Sequence, residues 1–425
     1  MKYLGSFMLL LICITPLSAA ELNITTLLEA AGKRPDMQSS QLAVETTAIQ
    51  LEQARAELYP KLSAFGNYER YNSPTNLRPM PPTEVNVAAG DSLPFSKEIK
   101  RYGLKVEMPL FVKGLYTLAN KVKQLQQGSK IGHELKLLTR QAEVVSIDAS
   151  LAYVTDLNAA IAARLESLQK TRDDLQMAVD NGRVPESELL RLDTTINTLQ
   201  KQQNDLQIQK LTLVNQLKQL TGLEIENFVS LTQQRPVVDG EFLRQKQQQA
   251  NVAVAEQEVQ RTEDQYYPTV KLVGAMTENY GTAYNTDDSI NRSYNYLGIN
   301  ISLPLFDRTL STATDFARMQ LHREQQQLAQ VRIDVATEAD TLHRQLPLLE
   351  RSQSLALKSF DNSRKVLEIA RVAYRNGRIT TEEYLRNETE VLDAEAALHQ
   401  TNRDRWQVIC RQAVLFGDDL TGVVQ

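Results

Sequence analysis

Asn181-Gly182-Arg183 closes a long run of polar-apolar periodicity, and an Asn-Gly pair in that position is where a helix stops and the chain reverses. The triplet returns as Asn376-Gly377-Arg378, 195 residues later. Ala178 precedes the first copy as Ala373 precedes the second, and Leu190 and Leu385 follow at equal distances. Self-similarity over so long a span marks a duplicated unit. Working outward, Tyr59-Pro60 returns as Tyr267-Pro268, and Gly103 with Pro109-Leu110-Phe111 returns as Gly298 with Pro304-Leu305-Phe306. The last set keeps the 195 offset, whereas Tyr-Pro is offset by 208. The difference falls between Pro60 and Gly103, so one half carries the longer loop.

Composition says what fills the two halves. The chain has 425 residues, 6% aromatic, with one Trp (Trp406) and Gln-rich runs such as 200–209 and 245–249. That is the balance of long two-sided helices rather than of compact domains. A net charge of -5 leaves no basic footprint and excludes nucleic acid as a partner class. Lys2, the apolar run Phe7 to Ile14, Pro16 and Ser18-Ala19-Ala20 read as a signal peptide over residues 1–20, cleaved before Glu21. The run falls short of the roughly 20 apolar residues that a span needs. Once it is removed Cys410 is the only thiol, placed for packing rather than for chemistry. No later segment reads as a membrane-spanning helix.

In chain order, Leu22 to Leu58 has a helical pattern with a break at Pro35-Asp36, and Pro60 ends it. Residues 72–98 hold five prolines and read as an exposed loop. The strands are predicted at about 61–71, 100–110, 269–280 and 294–305. Tyr102, Leu104, Val106, Met108 and Leu110 alternate with smaller or polar residues. Leu297, Ile299, Ile301, Leu303 and Leu305 do so more strictly, which makes one face apolar and the other wet. This strip is the candidate lipid-facing strand. Tyr68, Tyr71, Tyr280, Tyr284, Tyr294 and Tyr296 cluster near the loops, where amphipathic rings suit a membrane-water boundary. Four strands cannot close a barrel, since the bacterial series begins at about 8. Either several copies complete one barrel, or the strands form a small sandwich or hairpin on a soluble core.

Phe111 to Asn181 and Phe306 to Asn376 read as helices of 70 residues, on the order of 105 Å each. After the first turn, Leu192, Ile196, Leu199, Gln203, Leu206, Lys210, Leu213, Leu217 and Leu220 step by four and three, the period of a left-handed supercoil. The expected division is a first helix-strand-strand-helix repeat over 21–222, a connector over 223–240 and a second repeat over 241–425. The fold class is mainly α with a small β part.

With the duplicated order of elements, the Tyr-Pro lead-in, the Gly-x5-Pro-Leu-Phe exit and the Ala-Tyr-Arg-Asn-Gly tip at 373–377, the chain resembles the TolC family of outer-membrane efflux proteins over its whole mature length. The resemblance implies a homotrimer with a 12-stranded β-barrel in outer-membrane lipid and a periplasmic α-barrel of long antiparallel coiled-coil helices. It also implies docking of a periplasmic adaptor (membrane fusion) protein and an inner-membrane pump. Carried over by position, Gly182, Arg183, Val184, Gly377, Arg378 and Ile379 are the adaptor-facing turns. Glu188 and Glu383, six residues after each glycine, and Arg191 and Arg386, nine after, are the entrance-gate candidates. The arginines depart from the acidic character that the resemblance implies at the second gate position. The local reading of the same charges stays open: Thr380-x-x-Glu383 is a capping-box pattern, Pro185 with Glu186 and Glu188 is a helix start, and Glu188/Arg191 and Glu383/Arg386 are i,i+3 pairs.

Nothing points to an enzyme. His133, His322, His343 and His399 fall on separate helical stretches without a second ligand at metal spacing, and there is no phosphate-cradling glycine loop. No cofactor is expected, and transport energy would come from a partner. The expected function is a passive exit duct in a tripartite efflux or type I secretion system. The alternative is a soluble periplasmic coiled-coil scaffold or chaperone.

Overall fold

The structure is a computed structural model that describes residues 23–425 apart from 80, 82 and 83. The expected signal peptide lies outside the described residues. The elements are α1 (Ile24–Gly32), α2 (Pro35–Ala56), β1 (Lys61–Asn76), β2 (Phe95–Phe111), α3 (Lys113–Asp180), α4 (Glu186–Thr221), α5 (Leu243–Asp264), β3 (Thr269–Thr282), β4 (Ser289–Ser302), α6 (Arg308–Arg375) and α7 (Thr381–Phe416). The halves match in length as well as order. α2 and α5 have 22 residues each, α3 and α6 have 68, and α4 and α7 have 36. Two compact units form, one from the chain up to Gln38 with Leu135–Glu241 and Thr337–Gln425, the other from Ser39–Glu134 and Phe242–Ala336. Both halves of the chain contribute to each unit.

The second unit contains one antiparallel sheet in the order β1-β2-β3-β4. The strands run further into the loops than alternation alone marks, to Asn76 and back to Phe95 in the first hairpin, because Thr75 and Asn76 still pair with Ser96 and Phe95. At the other end β4 stops early. Ser302 pairs with Thr269, the first residue of β3, and no partner strand remains beyond it. Pro304 also lacks an N–H to continue the ladder. Leu303 and Leu305 are therefore outside the strand, which corrects the nine-residue strip to its part up to Ile301.

Why Gly103 recurs is plain in one copy only. A Cβ there would sit 2.0 Å from the Met276 carbonyl oxygen, whereas nothing lies within 4 Å of a Cβ on Gly298.

The first unit is built from helical hairpins. Val154, Ile161, Leu168 and Leu175 are buried on α3 every seventh residue, against Leu189, Leu192, Ile196, Leu199 and Leu206 of α4. That seam follows the expected register, with Gln203 and Lys210 half-buried along it. A second core gathers Ile24, Leu27 and Leu28 of α1 with Val144, Val145, Leu151, Leu217, Trp406, Ile409 and Cys410. The connector after Gly222 straps this core. Thr232 and Gln425 exchange backbone hydrogen bonds of 2.8 and 2.9 Å, and Arg235 grips Asp418 through two 2.6 Å contacts. Against expectation, one 18-residue window of α3 is apolar enough to span a bilayer by composition, but 39% of it is buried within the protein.

Candidate functional site

Both hairpin tips are built by the same backbone device. Gly182 N–H donates to Val179 O at 2.8 Å and Arg183 N–H to Ala178 O at 2.9 Å; Gly377 and Arg378 repeat this to Tyr374 and Ala373 at 2.9 Å each. This is the Schellman pattern, which satisfies the last carbonyls of a helix and needs a left-handed residue at its turn. Gly182 and Gly377 supply it at φ 66° and 68°. The side chains of Asn181 and Asn376 add a bond each, to Met177 O at 2.6 Å and Val372 O at 2.9 Å. Arg183 and Arg378 are exposed, while Val184 and Ile379 turn inward onto the core formed by α3, α4 and Tyr384.

The four gate candidates are not brought together as two pairs. Glu383 closes a capping box, accepting from Thr380 N–H at 3.2 Å while its own N–H donates to Thr380 Oγ1 at 3.2 Å. Arg386 approaches Glu390 at 3.8 Å rather than Glu383, because the carboxylate of Glu383 already faces the helix start. Arg191 reaches Glu382 of the other hairpin at 3.3 Å rather than Glu188. Glu188 is half-buried and lines a cleft of about 820 Å³ between the hairpins, with Lys170, Arg371, Tyr374 and Tyr384.

Next to that cleft, and lining a second of about 480 Å³ that shares Ser167 and Arg371 with it, lies a buried polar cluster that heptad reading missed. Arg164, 6% exposed, donates to Glu388 O at 2.8 Å and Thr389 Oγ1 at 3.0 Å. Glu388 Oε1 accepts from Tyr384 Oη at 2.6 Å and Ser167 Oγ at 3.3 Å, and Arg371 donates to Ser167 at 3.2 Å. Tyr374 stacks on Tyr384 with centroids 4.7 Å apart. Burial, then the Glu388 carboxylate, raises the Tyr384 phenol above its ordinary value. Burial lowers the Arg164 guanidinium, with Glu388 opposing. The cluster ties α3 to α6 and α7. Its only trace in the sequence is a charged residue at an inward helical position.

The sheet has two chemically distinct faces, because side chains alternate along each strand. On one face, cross-strand lines read Leu62-Val106-Gly274-Leu297, Ala64-Leu104-Met276-Asn295 and Met108-Leu272-Ile299. Leu297, Ile299 and Ile301 are 73%, 62% and 68% exposed. Tyr68, Tyr102 and Tyr280 follow on this face toward the loops, Tyr102 stacked on Tyr280 at 5.5 Å. At the other strand ends Tyr59, Tyr266, Tyr267, Phe111 and Phe306 are exposed. An apolar band between two aromatic rows is the lipid-facing pattern of an outer-membrane barrel. Tyr294 and Tyr296 sit instead on the opposite face, in line with Thr277 and Ala275, so they do not belong to the boundary set. That opposite face is polar, with lines such as Asn67-Arg101-Asn279-Arg292.

A sheet with one apolar and one polar face, in a chain that also builds capped helical hairpins, is the pattern of an outer-membrane channel subunit. The profile described as "Outer membrane efflux protein" matches residues 26–223 and 245–408. No curated protein matches the chain. Among solved structures, it is similar to the CmeC outer membrane channel of Campylobacter jejuni (TM-score 0.81, 16% identity, covering 94% of this chain and 86% of that one). It is also similar to the outer membrane protein VceC of Vibrio cholerae (0.78, 15%, 93% and 96%) and to the open state of the MtrE outer membrane channel of Neisseria gonorrhoeae (0.75, 15%, 95% and 91%). The chain belongs to the outer membrane efflux protein family. It resides in the outer membrane and extends into the periplasm. The soluble-scaffold alternative falls with that, having no cover for Leu297, Ile299 and Ile301.

Proposed function

We propose that three copies of the chain form a passive exit duct, their twelve strands closing one barrel in the outer membrane. The observation that carries this reading is the open sheet. β1 and β4 each present an unpaired edge, and unpaired strand edges in hydrocarbon cost several kcal/mol per unsatisfied group, a cost that closure alone removes. Four strands per chain and the smallest closed series of about 8 require more than one copy. Each repeat, 21–222 and 241–425 about the connector 223–240, then supplies one strand hairpin to the barrel and one helical hairpin to the periplasmic part.

In this reading a periplasmic adaptor docks on the tips through Gly182, Arg183, Val184, Gly377, Arg378 and Ile379, and an inner-membrane pump of an efflux or type I secretion system delivers the cargo. Docking would splay the hairpins. Glu188, Arg191, Glu383 and Arg386 stand at the entrance, and the Arg191–Glu382 contact between hairpins is one that opening would break. The chain supplies no energy and no catalysis.

Single-channel recording tests the gate. Neutralising Arg191 and Glu382 together should raise closed-state conductance. Neutralising Glu383 and Arg386 should do so only if they gate as well as cap, and an unchanged leak in both variants removes these residues from the entrance. Cross-linking in detergent tests the assembly, with a trimer expected and a monomer fatal to the duct.

A further inference from the structure

We infer that the barrel wall of this channel is an anion-favouring filter, set by Lys105 and Arg292. The inference rests on the proposed closure of copies of the sheet around a wet lumen. Between the lines of Lys271 and Glu69, the polar face carries Lys61, Arg101, Lys105, Lys271 and Arg292 against only Glu69 and Glu107. Both acids are matched. Glu69 accepts from Arg101 at 3.0 Å, and Glu107 accepts from Lys271 at 2.8 Å. Lys61 is paired with Glu57, just outside the sheet.

Two cations are left over. Lys105 lies over the Phe65 ring at 4.4 Å, and the Arg292 guanidinium donates to the Asn291 carbonyl at 2.8 Å. Among the described residues neither has a carboxylate at ion-pair distance. Each is therefore a full positive charge aimed at the pore, and every copy that joins the wall adds two more. Rings of Arg or Lys in a water-filled, low-dielectric bore raise the local concentration of anions and repel cations. Their reach is about 8 Å at physiological salt, so the effect acts on solutes close to the wall. The solute class favoured carries carboxylate, sulfonate or phosphate groups.

The test is the reversal potential of the purified full-length protein in planar bilayers across a tenfold KCl gradient. The native channel should reverse on the chloride side. Lys105→Gln with Arg292→Gln should lower the chloride-to-potassium permeability ratio several-fold, and Lys105→Glu with Arg292→Glu should invert the preference. Lys105→Arg with Arg292→Lys keeps the charge and should leave the ratio unchanged, which separates a charge effect from a folding defect. Ohmic channels whose reversal potential is the same in native and Glu forms would overturn the inference while leaving the duct intact. Absence of any conductance both from the native protein and from a background with Arg191→Gln and Glu382→Gln, which releases the contact at the entrance, would bring down the duct reading itself, and this inference with it.

Discussion

The Tyr384 hydroxyl donates to Glu388 Oε1 at 2.6 Å, and both side chains are buried, 2% and 4% exposed. A carboxylate in that setting depends on its donors, since an unpaired buried polar group costs about 1–3 kcal/mol or more when charged. Tyr384→Phe removes one donor and keeps the ring stacked on Tyr374. It should destabilise the helical part by about 1–3 kcal/mol in denaturant titration, and Glu388→Gln in the same background should recover part of the loss. A Tyr384→Phe variant as stable as the native chain would show that Ser167 and Arg371 suffice.

Gly182 and Gly377 meet no atom within 4 Å where a Cβ would go, so substitution there is opposed by backbone conformation alone. Left-handed geometry costs an L-residue roughly 1–2 kcal/mol. Gly182→Ala and Gly377→Ala should each lower stability by about that amount. Because the two turns share one hydrogen-bond pattern, the two effects should agree to within a few tenths of a kcal/mol and add in the double variant.

Asp148 is fully buried, accepts from Val229 N–H at 3.0 Å, and among the described residues has no partner for its second oxygen. Burial pushes its carboxyl up to about 7, against the weaker opposing pull of the Val229 hydrogen bond. The folded state then holds a proton that the unfolded chain releases near 3.9, so stability falls as pH rises from there to about 7. The loss is roughly 4 kcal/mol at 1.36 kcal/mol per pH unit. Asp148→Asn should flatten the fall between pH 5 and 7.5, read as Tm against pH in detergent.

His399 titrates with the opposite benefit. The Asp156 carboxylate at 3.0 Å raises the imidazole above its ordinary value, with burial opposing. This pair stabilises fully below about pH 6.5 and is lost as pH climbs through the raised folded value. Asp156→Asn should therefore cost stability at pH 6 and little at pH 9.

Ile299 lies within the paired ladder opposite Leu272, whereas Leu305, 91% exposed, lies past its end. An arginine at mid-membrane in a barrel costs about 2–4 kcal/mol and falls toward zero near the interface. Ile299→Arg should block insertion into the outer membrane, and Leu305→Arg should be tolerated. Fractionation and heat-modifiable gel mobility distinguish the two.

Much of this fold was legible because it is written twice. Asn181-Gly182-Arg183 and its copy mark turns by chemistry that any helix end needs, and the alternation before Pro304 needs only a sheet with one greasy face. What stayed hidden depends on neighbours far along the chain. Arg191 chooses Glu382 over Glu188 because the second hairpin is beside it in space. Arg164 and Glu388 look like ordinary surface charges until α6 and α7 cover them. The end of β4 is set by where β3 begins, 33 residues earlier. The faces of Tyr294 and Tyr296 follow from register, which proximity to a loop does not give.

The matched helices have an evolutionary corollary. Adding one turn to α3 alone would carry its bend 5.4 Å past the bend of α6, and the side-by-side contacts at Arg191 and at Ser167 would fall out of step. Insertions and deletions in these columns should therefore come as mirrored pairs of equal size, so the equality of α3 with α6 and of α4 with α7 should persist among descendants even where the spacing of 195 residues and the side chains have drifted.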